Sequence, residues 1–564
     1  MTMRALSAIP ALALLFLTVA CGPQPAWFDG EEMMFDPDWI IEVDIEVAEE
    51  DWEVLRYQAR NFQDVLCAVE PPPNPFTYFE GDIVIDGIRV ESVGVRKKCF
   101  FGSCDSDRPS FKVSFNEYVR GQRFMGLRRF TLNNAKSDPA KIKQCLGYWL
   151  FDRAGVISPR CSFAHVTVNG VDKGLYVHVE SIKTEMMSRY FDDTRGNIYE
   201  GALSDFQPNW VNTFQKKTNE ENPDRSDLDA MVNACAAPDD VFEESLSSLI
   251  DLDSYYRFWV MEVLIGHWDG YASFNHNNFY IYGDPKSEKF HFIPWGIDGI
   301  LFSQPGATKS VFADAIIPHR LYKNPESQAR YLDLLEELID TVWDEEIILA
   351  EIDRMEELIT PIADSYRTGE LAWLIQHVRD FVVNNPIEIR AELEGEPVPW
   401  TTPLSGPPCL RERGSFSGSF STTWGSIESV DPFGEGTGVF NVVMDDLPVP
   451  INFVASVAGL DPNPEVPDPK PTIQILATTP GESGDLLIAA ILVINDPNLV
   501  EANKSVPINM GEAAGYIFRQ DPLNPANFEV FLLMDGSILF SQAAMVPGEP
   551  ISGVVQATIT DSGW

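Results

Sequence analysis

The chain has 564 residues, 45% of them hydrophobic and 22% charged, enough for a large core and more than one domain. Lys and Arg number 41 against 85 Asp and Glu, a net charge of −44. Such a chain repels a phosphate backbone, which excludes nucleic acid as a partner, and its acidity suits solubility outside a cell.

Residues 1–20 read as a signal peptide, with Arg4 as the positive region and an apolar run over residues 9–17 that is too short to span a bilayer. The run Leu17-Thr18-Val19-Ala20-Cys21 resembles a bacterial lipobox with Cys21 as the acylated residue. Thr18 stands where an aliphatic residue is usual, so a plain signal peptide is the alternative. Residues 21–35 read as a tether. No later stretch is long and apolar enough to cross a bilayer, so membrane attachment is expected through the lipid anchor only. The expected location is the cell envelope, or outside the cell if the protein is secreted. Seven cysteines follow Cys21, and an exported chain is expected to pair them, leaving at least one over. Cys99 and Cys104 are close enough to staple a loop, whereas no second CxxC supports a zinc site.

Ile40-Ile41-Glu42-Val43-Asp44-Ile45-Glu46-Val47 alternates as a half-buried strand, and a helix opens at Asp51-Trp52. Strands dominate residues 83–200, with one helix over about 139–154 and a hairpin turn at Asn169-Gly170. Residues 227–264 read as helical with Asp253 as N-cap. Helices return over 328–393, where Leu334, Leu335, Leu338 and Ile339 share a face. From Glu394 the composition turns Pro-rich, and residues 396–410 read as a linker. Beyond it, alternating stretches between Gly, Pro and Asp turns predict an all-β sandwich over 411–564.

The most informative run is His267-Trp268-Asp269-Gly270-Tyr271-Ala272-Ser273-Phe274-Asn275-His276-Asn277-Asn278, with Trp295-Gly296-Ile297-Asp298 after it. It sets carboxylates and carboxamides at the ends of hydrophobic elements. Phosphoryl transfer needs one Asp to orient an acceptor hydroxyl, and an Asn plus another Asp to hold the magnesium that bridges the phosphates. Asp and Asn at strand ends also serve as plain turn residues. Lys112 alternates against Phe111 and Val113 in a strand, so it needs a partner, which a nucleotide phosphate would supply; Arg96 is similarly placed. There is no P-loop motif, and Gly414-Ser415-Phe416-Ser417-Gly418 has Phe where a nucleophile elbow needs Ser.

These residues resemble the core of the CotH kinase family, spore coat protein H and its relatives. The resemblance extends, in one order, through Val93-Gly94-Val95-Arg96, Ser110-Phe111-Lys112-Val113-Ser114-Phe115, Asp138-Pro139, Val168-Asn169-Gly170 and Gly196-Asn197-Ile198-Tyr199-Glu200, over about residues 38–393. It implies an α+β, two-lobed atypical protein-kinase-like domain over 36–395. ATP and Mg²⁺ (or Mn²⁺) would be its cofactors, and a protein at the cell surface its substrate. Asp269 would be the catalytic carboxylate, and Asn278 and Asp298 the metal ligands, with Asn277 and Asn275 as alternates. Arg96 and Lys112 would bind the nucleotide, with Gln144 or Glu180 as the partner of Lys112. Relatives often carry Glu at the position of Gln144 and a further Asp at that of Gly296. Two functions follow: an exported, lipid-anchored kinase acting on Ser or Thr, or a non-catalytic pseudokinase-like surface module that binds protein or polysaccharide.

Overall fold

A computed structural model describes residues 30–60, 65–66, 73–100, 103–302, 308–363, 370–404, 406, 409–461, 469–481, 484–522 and 524–561. Cys21 and the tether before residue 30 lie outside the described residues.

The first body is a closed barrel of seven strands: β1 (Ile40–Val47), β2 (Phe79–Ile85), β3 (Ile88–Lys98), β4 (Ser110–Ser114), β5 (Arg129–Asn133), β6 (Cys161–Val168) and β7 (Val171–Val179). They run in the order β1-β2-β3-β4-β5-β7-β6, and β6 lies parallel to β1 to close the ring. Alternation decides what points inward. Ile41, Val43, Ile45, Val93, Val95, Phe111, Val113, Phe130 and Leu132 share one interior core, while Glu42, Asp44 and Glu46 stay exposed. Asn169 and Gly170 both have positive φ, 49° and 76°, as the tight β6–β7 hairpin requires.

The second body packs a sheet against helices. The sheet holds β8 (Ile198–Gly201), β9 (Gln215–Lys216), β10 (Phe279–Asp284) and β11 (Lys289–Pro294) in the order β11-β10-β8-β9. One core joins it to the helices Lys143–Arg153, Leu252–Leu264, Pro325–Thr341, Glu345–Ala363 and Glu370–Leu393. The N-cap of Leu252–Leu264 is Asp251, which accepts from the Ser254 amide, so the expected cap was two residues late. Gly147 lets Lys143–Arg153 lie close to the site, because a Cβ there would sit 2.6 Å from Ile300 and 2.7 Å from Ile297. The segment after Leu393 is a strap: Val398, Trp400 and Leu404 pack on this core, and Tyr322 donates to the Val398 carbonyl.

The C-terminal strands form one continuous ten-stranded sheet, where two facing sheets were expected. Alternation along a strand gives its two faces but not how the sheet closes. Here the sheet curls until Trp424 bridges Ala458, over a single apolar core that includes Phe416, Ile475, Ile488 and Leu533. It docks on both other bodies. Arg56 and Tyr57 reach Asp496 at 2.8 Å each, and Met534 joins Leu66, Leu203 and Trp210 in one cluster. The Cys99–Cys104 staple forms, Cys145 pairs with Cys161, and Cys409 is also disulfide-bonded. Cys235 is the free, buried thiol among the described residues.

Candidate active site

A cavity of about 1270 Å³ opens between the three bodies. Its floor is made where the Leu252–Leu264 helix ends. Glu262, fully buried, accepts from the amides of Tyr271 (3.0 Å) and Ala272 (2.9 Å) and meets His267 Nδ1 at 3.2 Å, so the loop wraps around one carboxylate. Gly270 permits this, since a Cβ there would lie 2.2 Å from Glu262 Oε1.

The loop presents Asp269 to the cavity. Its carboxylate accepts from the side-chain amides of Asn278 (2.6 Å), Asn275 (2.7 Å) and Asn277 (3.3 Å). Burial pushes its pKa up to about 6; nearby Asp298 adds to the rise, while His267 and the Asn275 and Asn277 amides oppose it. Asp298 sits beyond the Gly296 turn and is also pushed up to about 6, by burial and then by Asp138, with Lys98 and His267 opposing. Gly296 has φ +55°, and a Cβ there would fall 2.3 Å from Asn278 Oδ1. Glycine at 296 is therefore a steric fit: Asn278, itself at φ +53°, occupies the space a side chain there would need.

Cations form the opposite wall. On β3, Arg96 and Lys98 point out of the barrel into the cavity, while Lys97, on the inner face, donates to the Arg56 carbonyl. Lys112 lies opposite Arg96 across the β3–β4 ladder. Lys98 Nζ donates to Asn133 Oδ1 at 2.6 Å, and Asn133 Nδ2 donates to Gln144 Oε1 at 2.8 Å. Desolvation lowers the Lys98 pKa to about 8, against the pull of Glu200 and Asp298. Desolvation and then Arg96 bring Lys112 well below the ordinary amine range, with Glu200 opposing. Burial would raise Glu200, but Lys217, at 2.5 Å, and Lys112 hold it well below the usual carboxylate range.

Of the residues singled out from the sequence, Asp269, Asn278, Asp298, Arg96, Lys112 and Gln144 all line this cavity. Glu180 does not. It is turned away into ion pairs with Arg160 (2.7 Å) and Arg189 (2.5 Å). The pairing expected for Lys112 differs too: its acidic neighbour is Glu200, and Gln144 serves Lys98 through Asn133. Lys98, Glu200 and Lys217 were missed. Lys98 was readable, because strand alternation from Arg96 puts it on the same face.

No cluster of three His, Cys, Asp or Glu that could hold a metal occurs among the described residues. The donors at the floor still fit a hard divalent cation. Asp298 and the Asn278 carboxamide oxygen supply oxygen ligands, and magnesium completes its shell with water and phosphate.

Residues 100–379 match the family described as CotH kinase protein, so the chain carries a CotH family domain. The chain is 24% identical over 289 residues to inner spore coat protein H of Bacillus subtilis (strain 168), covering 47% of this chain and 77% of that protein. It is 23% identical over 263 residues to invasin CotH3 of Rhizopus delemar, covering 41% of this chain and 44% of that one. Invasin CotH2 of the same organism is 24% identical over 205 residues, 33% of this chain and 34% of its own length. The match thus spans less than half of either invasin.

Proposed function

We propose that this chain is an exported, lipid-anchored atypical kinase, its two-lobed kinase-like domain moving the γ-phosphoryl group of ATP to a Ser or Thr hydroxyl of a surface or extracellular protein. The observation that carries this reading is a single cavity in which two recessed carboxylates, both held near pKa 6 by burial, face Lys98, Lys112 and Arg96. Asp269, fixed by three amide donors, orients the acceptor hydroxyl and takes its proton. Lys98 and Lys112 hold the phosphates, whose charge compensates the desolvation of both amines. Asn278 and Asp298 would hold magnesium or manganese, which when bound offsets the charge of the transferred group. The names of the relatives, a spore coat protein and invasins, accord with a location in the envelope or outside the cell.

One observation favours the non-catalytic surface module instead. The neutral Gln144–Asn133 chain stands where an ion pair to Lys98 would be stronger. A thermal-shift titration with ATP and Mg²⁺ separates the two, because a ligand that binds only the native state must raise its stability. The kinase reading expects a saturable shift together with labelled phosphate on Ser or Thr of an acceptor. No shift and no transfer leave the surface module.

A further inference from the structure

We propose that Arg60 and Arg96 form an anion-recognition site for the acceptor, and that the acceptor is an extended segment carrying an anionic side chain, threaded between the barrel and the C-terminal sheet. This rests on the kinase reading of the cavity. Four observations carry it.

The cavity inverts the charge of the chain: eight of the 41 basic residues line it but only six of the 85 acidic ones. Two of the cations are already engaged, Lys98 with Asn133 and Asp298, and Lys217 with Glu200. Arg60 and Arg96 face the same cavity, and although Arg60 Nη1 donates to the Pro73 carbonyl at 3.5 Å, each has a buried Nε without a hydrogen-bond partner among the described residues. Burial disfavours the Arg60 charge, Glu200 draws it and Arg96 repels it, and each guanidinium stacks on an aromatic ring, Phe76 and Tyr78. Guanidinium groups steadied this way match the fork geometry of a carboxylate or phosphomonoester.

The C-terminal sheet completes the opening beside them. Val530, Leu532 and Thr560 line the cavity, and Asp496 anchors Arg56 and Tyr57, just ahead of Arg60. Asp269 lines the same cavity as Arg60 and Arg96, so an extended segment lying across it can bring a hydroxyl to Asp269 while its anionic side chain meets the two guanidinium groups.

The test uses the full-length protein and three labelled, unstructured peptides in which one Ser is flanked by Asp, by phosphoserine or by Lys. Binding is read by anisotropy and transfer by KM. The wild type should prefer the anionic peptides, and the Asp and phosphoserine arms show which anion fits better. Arg60→Gln should weaken anionic-peptide binding and raise its KM about 10-fold, the loss of one charge-assisted contact, with the nucleotide-induced thermal shift retained. Arg60→Lys should recover part of that loss. A higher KM for ATP or a lost nucleotide shift in Arg60→Gln would assign Arg60 to the nucleotide and overturn the proposal, as would wild-type binding indifferent to peptide charge. Arg60-dependent peptide binding without any phosphoryl transfer would sink the kinase reading alone.

Discussion

In the barrel, β3 and β4 turn Val95 and Val113 inward and send Arg96, Lys98 and Lys112 from the outer face into a cavity. In the C-terminal sheet, the strand Pro471–Pro480 buries Ile473, Ile475 and Ala477 in an apolar cluster. Both use the same two-residue alternation. They differ in what the second face meets: the barrel's cations are drawn out of water with fewer anions than cations around them, a cost that an anionic ligand would offset. Asp496 in the C-terminal sheet is buried too, but it is paired with Arg56 and Tyr57, so what sets the barrel wall apart is clustered buried cations and not buried charge as such.

The contrast is broken most directly by Asp269→Asn, which should lower transfer about 10²–10⁴-fold with the nucleotide-induced thermal shift kept. Ile475→Ala should do the reverse, costing about 3 kcal/mol in urea unfolding with kcat unchanged. Next, Lys98→Met should raise the KM for ATP roughly 10-fold while leaving stability equal or higher, because a desolvated charge is gone.

Asp298→Asn sharpens the comparison through pH. A folded pKa near 6, above the ordinary value, means that folding takes up a proton between about pH 4 and 6. The stability of the protonated form is present below pH 4 and lost as pH rises through 6. In chelator, Asp298→Asn should therefore be more stable than wild type by about 3 kcal/mol at pH 8, and no different at pH 4, in parallel thermal melts. The smallest effect belongs to Gln144→Glu. A carboxylate aimed at the Asn133–Lys98 pair should change the KM for ATP only about 2- to 5-fold, since the contact is relayed through an amide. An unchanged KM would show that the relay carries no charge information.

The floor of the site was legible because it is local. Asp269, Asn275, Asn277 and Asn278 belong to one loop, and a turn that satisfies its own carboxylate with its own amides leaves that pattern in the sequence. The wall was legible in part. Lys112 stood out between Phe111 and Val113, whereas Lys98 was hidden in the run Arg96-Lys97-Lys98, where only strand parity separates the cavity side chains from Lys97. Partners set by long-range packing were not legible. Glu200 meets Lys217 because β8 pairs with β9, and Glu180 is claimed by Arg160 and Arg189. The C-terminal strands were readable one by one, but their closure into a single curled sheet depends on register between distant segments.

The two short-range disulfides sit beside functional side chains: Cys99 follows Lys98, and Cys145 follows Gln144. Each covalent bridge holds the backbone next to a group that lines the cavity. A compartment that keeps thiols reduced would make the same chain with both clamps open. The two bridges thus couple the redox state of the chain to the backbone beside Lys98 and Gln144, so the shape of the cavity wall depends on whether its thiols are paired.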